Sequence, residues 1–186
     1  MGFYVLVLPR LFFYSIGQRI LGQRAFSAAS ESIARIPGLR GVYCRQAFFN
    51  RTLAACGADC YFGWNSVFSM REARLGDRVY IGRFCSLGYA RIGSDTMLAD
   101  GVQVLSGGRE HGTRENAGRM HDQEQIFQPV RIGAGCWIGA NAVVMADVGE
   151  NSIVGAGAVI NKPIPASSIA VGVPGRVVKG RSGEPK

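Results

Sequence analysis

Residues 132–160 read IGAGCWIGANAVVMADVGENSIVGAGAVI. Cut into sixes, the stretch gives IGAGCW (132–137), IGANAV (138–143), VGENSI (148–153) and VGAGAV (154–159). An aliphatic residue opens each block, glycine follows it, and the fifth position is small. A helix repeats every 3.6 residues and a strand every two, so neither alone gives this period. Short strands joined by sharp turns do, with one aliphatic side chain turned inward per face and glycine where the backbone turns. Three faces then make one triangular coil.

The same blocks extend upstream: FGWNSV (62–67), LGDRVY (75–80), IGRFCS (81–86), LGYAR (87–91), IGSDTM (92–97) and LADGVQ (98–103). The opening positions are Leu75, Ile81, Ile92, Leu98, Ile132, Ile138, Val148 and Val154. The fifth positions are Ser66, Val79, Cys85, Thr96, Val102, Cys136, Ala142, Ser152 and Ala158. A coarser repeat agrees, because Ala73-Arg74-Leu75-Gly76 returns as Ala90-Arg91-Ile92-Gly93, 17 residues on. The repeats account for the glycine excess, since 26 in 186 residues is about twice ordinary usage.

Three of the five cysteines (60, 85 and 136) occupy the fifth slot, where a compact apolar side chain suits the interior. An odd number of cysteines at loose spacing argues against a disulfide framework and for a reducing compartment. Cys56-x-x-x-Cys60 is half of a zinc pattern that no His or Cys pair completes, so no metal is expected.

The formal charge of +8 is unevenly spread: residues 1–51 hold seven arginines against Glu31 alone. A basic quarter on a nearly neutral remainder does not fit a uniformly basic nucleic-acid-binding domain, and no nucleic-acid module is recognisable. Residues 1–22 are apolar, aromatic and basic, but Pro9 and Arg10 interrupt them short of a membrane-spanning run. They read either as a cap on the rest of the protein or as a segment lying in a membrane interface. The expected location is cytoplasmic, with peripheral contact at the inner membrane face. Residues 27–36 predict a short helix ended by Pro37-Gly38, and 41–54 a β-like or irregular segment. The expected division is a partly helical extension over 1–55, the repeat domain over 56–180 and a tail over 181–186.

The repeat is interrupted once, from Ser106 to Gln128, by 23 residues rich in glycine and charge. Structureless insertions of that length inside a compact domain are usually functional or disordered. Both histidines, His111 and His121, lie in it.

These blocks resemble the hexapeptide repeats of the left-handed parallel β-helix acyltransferases, over roughly residues 56–180. Within that group they resemble the maltose/galactoside and polysaccharide-biosynthesis O-acetyltransferases. The left-handed coil is what the resemblance implies, since spacing carries no handedness. In that family a loop leaves the coil here, carries a catalytic histidine, and returns through Pro-x-x-Ile-Gly. Here the return is Pro129-Val130-Arg131-Ile132-Gly133. His111 stands 18 residues before that proline and is the expected catalytic base, while His121, eight before it, reads as a solvated residue. A neutral imidazole can take the proton of a sugar hydroxyl as it attacks a thioester.

The resemblance further implies acetyl-coenzyme A as co-substrate. Trp137, Gly139, Ala140, Ala156 and Gly157 correspond to the groove for its pantetheine arm, Asn161 and Lys162 to the nucleotide end, and Arg176 and Lys179 to its phosphates. Alternatively the glycines and alanines only serve the coil, and Trp137 is an interface aromatic. Asp100 and Glu110 are candidates to orient His111 and, with Cys85 and Ser86, form the acceptor-side set. From Val144 to Val148 the chain is about two residues shorter than the family's usual turn, which tightens one corner near the groove. The family also implies a homotrimer, with the histidine facing a groove shared between subunits. The expected activity is acetyl-coenzyme A-dependent O-acetylation of a saccharide, with a polysaccharide precursor as the expected acceptor. N-acylation of an amino sugar or antibiotic, a non-catalytic scaffold, and a metal enzyme of the same fold are the competing readings.

Overall fold

The structure, a computed structural model, describes residues 2–108, 110, 118–119 and 122–181, with side chains from residue 7 onward. Three helices, α1 (Gly2–Leu21), α2 (Gln23–Ala34) and α3 (Gly38–Thr52), precede a stack of short strands on three faces.

Face A carries β1 (Ala55–Cys56), β4 (Arg74–Leu75), β7 (Ala90–Ile92) and β10 (Val130–Ile132). Face B carries β2 (Tyr61–Phe62), β5 (Tyr80–Ile81), β8 (Met97–Leu98), β11 (Trp137–Ile138), β13 (Ile153–Val154) and β15 (Ser168–Val171). A final strand, β16 (Arg176–Gly180), closes the edge of face B antiparallel to β15. Face C carries β3 (Val67–Phe68), β6 (Ser86–Leu87), β9 (Gln103–Val104), β12 (Val143–Val144) and β14 (Val159–Ile160). All other pairings are parallel, so each coil lies in register on the one before.

The chain is therefore a parallel β-helix, as the six-residue period predicts. Every block-opening aliphatic named above is buried, and so is every fifth-position residue, including Cys60, Cys85 and Cys136. The polar members of the fifth position act between coils. Ser66 donates to Gly82 O and accepts from Cys85 N–H, and Thr96 does the same with Gly133 O and Cys136 N–H. Ser152 repeats the pattern with Pro165 O and Ser168 N–H.

The second and fourth block positions divide the work at the corners. The left-handed residue is the fourth, as in Asn65, Arg78, Phe84, Asp95, Asn141 and Asn151, all with φ between 53° and 59° or, for Asp95, 61°. Asparagine and aspartate tolerate this region better than other side chains. The second-position glycine is needed for another reason: a Cβ on Gly93 would strike the backbone of Ala134 on the next coil, and one on Gly133 that of Glu150. Close stacking rather than turning sets glycine there, which corrects the sequence expectation.

One further expectation changes. Residues 41–54 are mostly helical, not β-like: Gly41, Cys44, Arg45, Phe48, Phe49 and Thr52 recur at helical spacing and all face inward. Tertiary burial of that face overrides the β-leaning Val42-Tyr43 and Phe48-Phe49 pairs. The short Val144–Val148 corner stays in the stack, since Val148 bridges both Ile132 and Ile164.

The helices pack on the first coil. Phe49 meets Phe62 and Phe68 with ring centroids 4.9 Å away in each case. Arg45 is buried and donates from Nε to Phe62 O at 2.9 Å and from Nη1 to Ile36 O at 2.7 Å. It also reaches Ala34 O at 3.4 Å, so one guanidinium ties the α2 C-terminus to face B. Burial pushes the Arg45 pKa down from its ordinary value, while its guanidinium donates to carbonyls.

Gly93→Ala is expected to destabilise the coil by about 2 kcal/mol or more, since the obstructing atoms are backbone. Asn141→Gly, at a left-handed position, should leave stability within about 0.5 kcal/mol. Chemical denaturation of both variants measures the contrast.

Candidate functional site

Along face B, outward side chains align in register: Tyr61, Tyr80, Met97, Trp137, Ile153 and Ile169. They occupy the sixth position of their blocks, which points away from the core because side chains alternate along a strand. Tyr61 and Tyr80 stack at 4.8 Å with rings 3° from parallel. Lower down, Tyr80, Met97, Ala99, Asp100, Trp137 and Ala140 line a groove of about 330 Å³.

That groove joins three residues that the sequence singles out: Trp137, Ala140 and Asp100. It adds Tyr80, Met97 and Ala99, which sequence reasoning missed although aligning the sixth positions would have exposed the first two. Asp100, Ala140 and Ala156 occupy the third position of successive corners between faces B and C. Their stacking is fixed by Asn141 N–H to Asp100 O at 3.0 Å and Gly157 N–H to Ala140 O at 2.8 Å. A Cβ on Gly139 would collide with the Ala156 backbone, whereas one on Gly157 would meet open space. Ala156 and Gly157 are exposed.

Small exposed residues leave the corner backbone accessible to an extended arm, and Met97 and Trp137 supply an apolar floor. The arrangement suits a narrow chain of amide and methylene groups, and the residues present therefore fit the pantetheine arm of coenzyme A.

The remaining predicted donor residues lie elsewhere. Asn161 and Lys162 are exposed at the corner between faces C and A, one face away from Ala140 and Ala156. Arg176 and Lys179 are exposed on β16, with Lys179 opposite Ile169 on the same face as Trp137.

On the acceptor side the structure separates the candidates. Asp100 is committed to Arg83: its Oδ1 accepts the Arg83 backbone N–H at 2.7 Å, and its Oδ2 meets the guanidinium at 3.0 Å. Those contacts, the backbone N–H first, hold its carboxyl below the usual range. Glu110 Oε1 accepts the Ser106 N–H at 2.6 Å. Ser106 in turn accepts from Gln128 N–H through its carbonyl and from Tyr89 N–H through its hydroxyl. Glu110 thus clamps the neck of the loop.

Cys85 is buried with its thiol on Ala99 O at 3.2 Å, and burial raises its pKa. An inward fifth position cannot meet an acceptor, so the structure removes Cys85 from that set. Ser86 is exposed on face C, away from the face B groove. His111 and His121 lie outside the described residues. Among the described residues no group of His, Cys, Asp and Glu is arranged to hold a metal, and no helix is long and apolar enough to cross a membrane.

The fold and corners define a protein built on hexapeptide repeats. Residues 129–162 match the family model described as the hexapeptide repeat of succinyl-transferase. The chain has the fold of solved acetyltransferases. It is 36% identical over 92 residues to the galactoside O-acetyltransferase of Escherichia coli, a match covering 47% of this chain and 42% of that protein. The first curated relatives are spanned over only 37% to 58% of their length. Among solved structures, a maltose O-acetyltransferase from Clostridium difficile superposes with a TM-score of 0.76 at 21% identity, over 89% of this chain and 91% of that one. A galactoside acetyltransferase in complex with coenzyme A gives 0.74 at 22%, over 87% and 84%.

Because the Asp100 carboxyl is depressed on folding, its stabilising contribution is present above the unfolded carboxylate value near 4 and fades as pH falls through the folded one. Asp100→Asn should therefore flatten the acid limb of the stability profile and cost about 0.5 kcal/mol at neutral pH. Thermal midpoints between pH 3 and 7 test this.

Proposed function

We propose that the chain is an acetyl-coenzyme A-dependent O-acetyltransferase acting on a sugar hydroxyl, with His111 as general base. The observation that carries this reading is the face B groove, where Trp137 and Ala140 lie next to the exposed corner at Ala156 on a coil that superposes on acetyltransferases. Acetyl-coenzyme A supplies the activated acyl group. His111 takes the proton of the attacking hydroxyl, the new ester bond forms at the acetyl carbon, the thioester bond breaks, and the proton passes to the leaving thiol. Trp137 and the Ala140 and Ala156 backbone hold the arm, and Arg176 and Lys179 supply charge for its phosphates.

The loop leaves at the corner between faces C and A, the vertex opposite face B. A site that combines His111 with the Trp137 groove is therefore most directly built from two copies. This supports a homotrimer with sites shared between subunits, since closed cyclic symmetry repeats the same contact without open polymerisation.

His111→Ala should lower coenzyme A release from acetyl-coenzyme A by about 10²–10⁴-fold across a panel of saccharides. Trp137→Ala should raise the KM for acetyl-coenzyme A with a smaller effect on kcat. Unchanged turnover in His111→Ala removes the base assignment. Faster turnover on an amino sugar, with product stable to mild base, would instead assign N-acylation.

The extension supports a place at a membrane surface. One side of α1 packs through Val7 and Tyr14, while Leu8, Phe12, Phe13, Ile16 and Ile20 are exposed on the other. With arginine dominating residues 1–51, this face suits the interface of an anionic bilayer. Phe12→Glu with Phe13→Glu should abolish co-sedimentation with vesicles containing phosphatidylglycerol and leave the fold intact; equal binding by wild type and variant would reject the membrane reading.

A further inference from the structure

The coarse repeat has a third copy. Ala73-Arg74-Leu75-Gly76 and Ala90-Arg91-Ile92-Gly93 are followed, beyond the loop, by Val130-Arg131-Ile132-Gly133. Strand pairing sets Arg74 opposite Arg91 and Arg91 opposite Arg131. Neighbouring strands lie about 4.8 Å apart, so three guanidinium-bearing side chains leave face A within about 10 Å along the coil axis. Like charges directly opposite one another oppose folding unless something neutralises them.

The described residues supply little neutralisation. Asp147 pairs with Arg131, its Oδ1 accepting the backbone N–H at 2.8 Å and its Oδ2 lying 3.4 Å from Nη1. Glu150 stands at the end of the same groove. No acidic partner meets Arg74 or Arg91 among the described residues. Arg91 is instead held by Tyr89, with Nη2 donating to the phenol oxygen at 3.3 Å and the guanidinium carbon 5.6 Å from the ring centroid. Its Nε is enclosed and has no acceptor among the described residues. Over this ladder runs a groove of about 650 Å³, within the size range of sites for small organic ligands.

A planar fork of donors, repeated at strand spacing and short of acceptors, matches the oxygens of linked phosphates. We propose that the face A groove binds a diphosphate group, with Arg91 as its central ligand and Arg74 and Arg131 on either side. The site is separate from the Trp137 groove, which lies on face B. It borders the strand on which the long loop returns. On the transferase reading, on which this assignment rests, the diphosphate belongs to the acceptor, as in a sugar carried on a nucleotide or on a lipid.

The test must exclude the diphosphate of coenzyme A. Inorganic pyrophosphate is titrated calorimetrically into the full chain already saturated with coenzyme A. Arg91→Gln should raise its Kd at least tenfold, and Arg74→Gln and Arg131→Gln several-fold each. Arg78→Gln, which removes the same charge from a neighbouring corner, should leave it unchanged. Should Arg91→Gln not fold, the double Arg74→Gln, Arg131→Gln variant, altered only at exposed positions, carries the comparison. Repeating the titration with uridine diphosphate, and with phosphatidylcholine vesicles holding a polyprenyl diphosphate, distinguishes a nucleotide from a lipid source, and tighter binding of either supports the site.

Pyrophosphate binding abolished by saturating coenzyme A overturns the proposal, as does equal affinity in Arg91→Gln. A changed assembly mass in that variant with pyrophosphate binding intact assigns face A to a second copy and overturns it too. Acetyl transfer is not read in these titrations, so failure of the His111 assignment and failure of this site are separable.

Discussion

Where glycine holds the second position of a block, each coil rests so closely on the next that a Cβ would strike it. At Gly93, Gly133 and Gly139 the obstructing atoms are backbone atoms of the following coil. That approach brings stacked strands into hydrogen-bonding distance on all three faces at once. It also fixes register, because a shift by one residue would turn every inward aliphatic outward. Serine and threonine at the fifth position strengthen the same stacking by bridging consecutive turns, and the buried aliphatics fill the prism between.

From that constraint the candidate sites follow. A coil held in strict register converts a sequence period into a row of side chains on the surface. On face B the row is aromatic and apolar, beside corners kept small at Ala140 and Ala156, so a thin amide-bearing chain can lie against the backbone. On face A the row is arginine, and its charge is mostly unmatched among the described residues. The long insertion at the vertex opposite face B is closed at its neck by Ser106, Glu110, Gln128 and Tyr89, which lets 23 residues leave the coil without disturbing the turns on either side.

Much of the fold was legible because its signal is local. The aliphatic, glycine and small-residue slots predicted which side chains are buried, and each one named is buried. The role of glycine was misplaced, because a period reveals where glycine recurs but not whether a positive φ or a neighbouring backbone requires it. The third helix was missed for a related reason: Val42, Tyr43, Phe48 and Phe49 favour strands locally, and only packing against Phe62 and Phe68 selects the helical face. Of the candidate site, Trp137, Ala140 and Asp100 were identified and meet in one groove. The commitment of Asp100 to Arg83 and of Glu110 to Ser106 could not be read, since each depends on a corner or neck whose shape is set by other turns.

By itself the sequence determined the coil, its inward residues, the place where the chain leaves it and the chemistry available there. Those features depend on spacing along the chain, which a six-residue period records directly. The tertiary structure alone decided which outward residues become neighbours. Arg91 and Arg131 are forty positions apart in the chain, and so are Met97 and Trp137, yet each pair is adjacent because the insertion between them is looped out and the register resumes beyond it.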